Sequence, residues 1–149
     1  MANFIHNPWH ENVLDAWLSG KTRKMTCLGS TSTIDDEDEF MSDPTTLGEL
    51  SGGSFTAGHG GTMRKTLANV VTTLDNPNDQ VELDCDDVTY SAANIGTIEW
   101  VNVHSAGTSD DTDAECCFNF DVSQVTNGGD VTIQVAAEGL YKLGRAAGS

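Results

Sequence analysis

The residues of this chain that could do chemistry are four histidines, four cysteines and a dense run of carboxylates, and their spacing decides what they can do. A helix–loop–helix calcium loop needs ligands at positions 1, 3 and 5, a glycine at 6 and a glutamate at 12. Counted from Asp35, the run Asp35, Asp36, Glu37, Asp38, Glu39 puts Phe40 at position 6 and Thr46 at position 12. That site is excluded, and an irregular loop site is the calcium alternative. His6 and His10 are four apart, but Pro8 lies between them and "HENV" does not continue into H-E-x-x-H. "GHGG" (58–61) has the composition of a lipase oxyanion loop, yet the chain has no G-x-S-x-G elbow, so it reads as a glycine-rich loop. "GKT" (20–22) lacks the first glycine of a P-loop, Asp15 standing in its place, and no strand precedes it. His104 ends a strand, with acidic neighbours only at "SDD" (109–111). Carboxylate pairs carry no information among 23 acidic residues, because chance alone supplies them. The chain reads as not an enzyme, with no catalytic residue, no cofactor and no metal site.

The charge balance is the strongest signal. Against 23 acidic residues stand 7 basic ones, a net charge of −16. Lys21, Arg23 and Lys24 sit together in "KTRK"; Arg64, Lys65, Lys142 and Arg145 complete the set. Further acidic clusters are "DCDD" (84–87) and "SDDTD" (109–113). Such self-repulsion opposes a compact state in dilute buffer. In molar salt the Debye length falls to about 3 Å and the repulsion is screened. Scarce lysine with abundant aspartate along a folded chain therefore points to a protein built for high salt. Duplex phosphates would be repelled, so nucleic acid is excluded as a partner.

At 149 residues the chain is long enough for one domain, 1–149, with a real core. Hydrophobic residues make up 38%, which suits a thin sandwich. No stretch approaches the roughly 20 apolar residues of a membrane helix, so no membrane is expected. The start "MANFIHNPWHENV" has no basic segment leading into an apolar one, so no signal peptide is expected. Cys27, Cys85, Cys116 and Cys117 form no C-x-x-C, which excludes zinc-ribbon and thioredoxin patterns. They read as small buried thiols, with a Cys27 disulfide to Cys116 or Cys117 as the alternative.

The elements follow from periodicity. Val13, Leu14, Trp17 and Leu18 recur on one helical face, and Gly20 is a natural stop, predicting a short helix over 11–19. "KMTCLG" then opens a series of strands. Residues 41–61, rich in Gly, Ser, Thr and Pro, read as a long loop with a short strand at "SFTA" (54–57). "TLANVVTTL", "VELDCDDVTYS", "TIEWVNVHS", "ECCFNFDVS" and "DVTIQVAA" follow, separated by turn-forming segments such as "DNPND" and "TNGGD". Val131, Ile133 and Val135 share a face. The predicted fold is all-β: an antiparallel, jelly-roll-like β-sandwich of six to eight strands with one short N-terminal helix.

Several segments, in this order, resemble a family of small structural proteins of tailed viruses. They are the Met-Ala-Asn start with its helix, "EFMSD" (39–43), "LDCDDVTYS" (83–91), "GTIEWVNVH" (96–104), "NGGDVTIQV" (127–135) and the closing "GLYKLG" (139–144). "DDVTYS" with "NGGDVTIQV" is the more specific combination, and residues 44–66 are not matched. The resemblance implies a virion component without catalytic residues, assembled in the host cytoplasm, and the acidity implies a halophilic host. A capsid decoration (cement) protein on the outer head face is the expectation, partnered by the major capsid protein or neighbouring virion subunits, with a homo-oligomer, a trimer for preference. A tail, neck or fibre-associated component is one alternative. A carbohydrate- or calcium-binding sandwich module is another, with Trp9, Trp17 or Trp100 as a sugar platform, although Trp17 and Trp100 read as core. Residues 1–10 are expected to form an anchoring arm. Phe4, Ile5 and Trp9 precede the predicted helix, Pro8 keeps the arm out of it, and such residues must cover a surface on this chain or on a neighbour.

Overall fold

The fold is given by a computed structural model that describes residues 7–18, 20–78, 80–112, 114–136, 139 and 141–144, with the backbone alone at 7–11, 17, 116–118 and 141–144. In chain order the elements are α1 (Asn7–Leu18), β1 (Arg23–Leu28), β2 (Lys65–Thr66), β3 (Val71–Asp75), β4 (Gln80–Asp84), β5 (Val88–Tyr90), β6 (Thr97–Ser105), β7 (Cys116–Val125), β8 (Val131–Ile133) and β9 (Tyr141–Gly144). The chain is all-β with a short N-terminal helix, and every strand pairing is antiparallel. The described residues hold nine strands rather than six to eight, in sheets ordered β2-β1-β6-β7, β3-β4-β9 and β5-β8. These group into two compact units, one holding α1, β3, β4 and β9 and the other holding β1, β2 and β5 to β8. The strands are thus not shared between just two sheets, as in a jelly roll.

In the first unit the helix begins earlier than its apolar pattern implies. Pro8 lies inside α1 rather than before it. The first turn of a helix leaves its N–H groups without intrahelical acceptors, so a residue lacking that hydrogen costs nothing there. Trp9 is therefore helical and not part of a preceding arm. The helix lies against β3, β4 and β9. Leu14 is buried, whereas Val13 is 40% exposed and stands off the packed face. The Thr72 hydroxyl of β3 donates to Asp15 of the helix. In β4, alternate residues Val81 and Leu83 are buried, as a half-buried central strand requires. A 3-10 turn, Asn76–Asn78, joins β3 to β4. "GLYKLG" supplies β9, which pairs with β4 from Gln80↔Gly144 to Leu83↔Tyr141.

The segment "VELDCDDVTYS" is not one strand but two, β4 and β5, in different sheets. Aspartates break it by offering the backbone other partners. Asp84 Oδ1 accepts from Cys85 N at 2.8 Å, and Asp87 Oδ1 accepts from Val135 N at 2.8 Å. Asp86 N donates to the Ala68 carbonyl, and its carboxylate accepts from Asn69 Nδ2.

The second unit is built on β1 and β6, which pair without interruption from Arg23↔Ser105 to Leu28↔Trp100. That register puts Met25, Cys27, Val101 and Val103 on one face and Thr26, Asn102 and His104 on the other. All seven are buried. Tyr90 of β5 meets the apolar face: its hydroxyl donates to the Met25 carbonyl at 3.0 Å, and its ring meets Phe55 edge-on at 5.6 Å. Beyond β6, the edge strand β7 carries two register shifts, one opposite Ile98/Trp100 and one opposite Val103/His104. Ser123, with φ +52°, lies at the first. Trp100, beside that bulge, is 40% exposed rather than in the core. "SFTA" is not a strand: Gly52 and Phe55 exchange backbone hydrogen bonds across a tight turn.

Candidate functional site

The residues expected to anchor the chain are only partly within view. Phe4 and Ile5 lie outside the described residues. Trp9 is in the first turn of α1, and its side chain lies outside them as well. Cys27 and Cys85 are free, buried thiols, so the Cys27 disulfide is not formed. Burial raises the Cys27 thiol to about 12, the Tyr90 hydroxyl opposing and Glu49 reinforcing the rise. Burial, with Asp84, Asp86 and Asp87 around it, raises Cys85 to about 11. Neither is a nucleophile near neutral pH, since the thiolate is the reactive form.

The acidic run at 35–39 binds its own backbone. Asp38 Oδ2 accepts from Asp35 N at 2.8 Å, and Asp35 Oδ1 accepts from Glu37 N at 2.9 Å. Asp43 Oδ2 accepts from both Glu39 N and Phe40 N. These are turn-forming bonds of the kind aspartate favours. Among the described residues no group of three or more His, Cys, Asp or Glu side chains is placed to hold a metal ion.

What the fold does assemble is an ionic cluster over the polar face of β1 and β6. Arg64, which leads into β2, has a side chain only 2% exposed. Its guanidinium spans two carboxylates. Nε and NH2 donate to Glu49 at 3.0 and 2.9 Å, while NH1 and NH2 donate to Asp110 at 2.5 and 3.0 Å. Planar fork geometry makes arginine the side chain for such double bidentate contact. Glu49 also accepts from Thr26 Oγ1 of β1 at 2.9 Å and from Gly58 N at 2.8 Å. His59 Nδ1 stands 3.2 Å from Asp110 Oδ1. The cluster thus ties the loop at 48–64 and the loop at 106–114 to the central strands. Burial alone would raise the Asp110 carboxyl, but Arg64 and then His59 outweigh it and hold it below its usual value. Burial opposes charge on Arg64, but its bonds to Asp110 and Glu49 more than compensate and raise it further.

The glycines of "GHGG" serve this geometry. Gly58 and Gly60 have φ of +87° and +74°. A Cβ on Gly61 would fall 2.3 Å from the Thr56 carbonyl oxygen. The loop is therefore a tight support for Glu49 and His59. His59 and Asp110 have the form of a base with its orienting carboxylate, but among the described residues no hydroxyl or thiol hydrogen-bonds the other ring nitrogen. His104, on the same polar face of β6, is fully buried. Burial lowers it to about 4, with the Ser105 carbonyl opposing and Arg64 adding to the fall.

No family model, curated protein or solved structure matches the chain. Its function is therefore argued from its own residues. The cluster was missed in sequence because Arg64 bonds carboxylates 15 and 46 positions away, Glu49 and Asp110. A usable signal existed: Arg64 is the only arginine between Arg23 and Arg145.

Proposed function

We propose that the chain is a virion structural protein, a capsid decoration protein on the outer face of a tailed-virus head. One observation carries the reading. "DDVTYS" and "NGGDVTIQV", the pair of segments most specific to the resemblance, are partners in space. Their strands β5 and β8 pair in register as Val88↔Ile133, Thr89↔Thr132 and Tyr90↔Val131. The adjoining turn is fastened to the residues after β5, with Asp130 Oδ1 accepting from Ala92 N at 2.8 Å and Gly129 O accepting from Ala93 N. A resemblance confined to scattered short strings need not fall on one paired unit.

Two features favour the head over the tail. A tube subunit usually needs a long extended loop. The long loop here is held down instead, by Leu50 N donating to the Cys27 carbonyl, Gly29 N to Gly48 O, and the Glu49–Arg64 pair. Cations are also few at the surface among the described residues: Arg23 and Arg64 are buried, and Lys21 is paired with Glu115 at 2.6 Å. An acidic exterior suits a face turned away from packaged DNA and, for a virus of a halophilic host, molar salt. The proposed partners are the major capsid protein and further copies of this chain, arranged as trimers.

Counting copies on purified particles tests the reading. Hundreds of copies per particle support decoration of the head, a few dozen or fewer move the protein to the neck or tail, and absence from particles removes the virion role. The half-exposed Trp100 favours a sugar-binding module as the second reading. Glycan-array binding abolished by Trp100→Ala would establish it.

A further inference from the structure

The polar face of β6 carries two buried acceptors that no protein group answers. Asn102 and His104 are both fully buried. Asn102 Nδ2 donates to Asn119 Oδ1 at 2.7 Å, while Asn102 Oδ1 has no hydrogen-bond partner. His104 Nδ1 stands 2.8 Å from the Ser105 carbonyl oxygen. A carbonyl only accepts, so Nδ1 carries the proton and the neutral ring keeps its lone pair on Nε2. That nitrogen, too, has no partner. The residues are two apart on β6, so their side chains rise from one face, with Cβ atoms about 7 Å apart. Thr26 is the cross-strand neighbour of Asn102 on this face. It is also buried, its hydroxyl proton is given to Glu49, and only lone pairs remain on its oxygen.

Proteins pair nearly all their buried polar atoms, so walls that offer only lone pairs select a guest that brings donors. We propose that one buried water molecule sits on this face of β6, donating one hydrogen to Asn102 Oδ1 and the other to His104 Nε2. Water has the right two donors and adds no charge. The bound water complements the tautomer that the Ser105 carbonyl fixes and completes the polar layer beneath the Glu49–Arg64–Asp110 cluster.

The full-length chain tests this in two ways. Magnetic relaxation dispersion of solvent water counts long-lived internal molecules, and heteronuclear NMR reads the His104 ring nitrogens. In the wild type, Nε2 should resonate as a neutral nitrogen accepting a hydrogen bond. Asn102→Leu and His104→Phe should each remove the relaxation amplitude of a single water. The wild-type ring spectrum decides even if a variant fails to fold. An unbonded Nε2 resonance overturns the proposal, as does an unchanged amplitude in a folded Asn102→Leu protein.

Discussion

At the scale of single residues, the chain's scarcest charge type does the most structural work. Arg64 pairs with two carboxylates at once, and Glu49 is nearly as buried as Arg64 itself. Removing one member of such a group leaves the others charged and dry. Arg64→Ala should therefore lose about 3–5 kcal/mol in denaturant titrations. Glu49→Gln in the same chain should recover part of that loss, because it removes the stranded charge. His104 gives a second prediction. The unfolded ring, near 6.5, takes up a proton as pH falls, while the folded ring resists until about 4. Between those values the unfolded state binds more protons, so stability falls with falling pH, by about 3 kcal/mol in all. Asp110 acts in the same direction, its stabilisation being lost as pH falls through its depressed value. Denaturation midpoints from pH 7 to 4 in wild type and His104→Phe separate the two: the variant should lose the His104 share of the slope and keep the rest. Neither role was legible in the sequence. A residue's burial and its long-range partners depend on the closed fold, and 23 acids hide the two that matter.

At the scale of elements, runs of strand-forming residues bounded by turn residues mark where most strands lie. β6 and β8 fall within the segments that strand-forming and turn residues mark out, and β1, β3 and β7 overrun theirs by one or two residues. The pattern fails where local side-chain chemistry overrides it. Apolar residues on both sides of Cys85–Asp87 suggest a continuous strand, but the aspartates take the backbone hydrogen bonds and split it. The helix starts before its apolar pattern does because proline, a barrier inside a helix, is tolerated in a first turn. Its place in a strand points Trp100 to the core, but a bulge lies beside it and it is half exposed. The same two bulges in β7 disrupt the hydrogen-bond ladder of a ten-residue edge strand, a recognised protection against edge-to-edge aggregation. The glycine loop offers the test at this scale. Gly61→Ala puts a methyl group against three backbone carbonyl oxygens, those of Thr56, Ala57 and Gly58. Backbone cannot yield as a flexible side chain can, so the change should cost about 1–3 kcal/mol. It should also broaden the NMR signals of residues 49–64 more than those of β6. An Ala variant as stable as wild type would mean that the loop does not support Glu49.

At the scale of the whole molecule, composition and attachment are the issues. With a net charge of −16, and with Arg23 and Arg64 buried among the described residues, the exterior is strongly acidic. Thermal melts should therefore rise steeply from about 0.1 M to about 3 M KCl as screening shortens the range of repulsion. A flat melting temperature would remove the high-salt reading. Attachment turns on the N-terminus. The helix begins at Asn7, so the expected arm of residues 1–10 overlaps α1, whose contacts with β3, β4 and β9 belong to the fold. Deleting all ten residues would confuse an anchoring role with a damaged helix. Deleting residues 1–6 separates them, because it removes Phe4 and Ile5 and leaves α1 entire. If those two side chains anchor the chain to a capsid neighbour, the shortened protein should melt within a few degrees of the full chain yet fail to join particles. Aromatic anchors commonly dominate the energy of such contacts, so the loss should be near complete. Phe4→Ala alone should then give partial occupancy. Full occupancy by the shortened protein would move the anchor elsewhere, and the half-exposed Trp100 would be the next residue to replace.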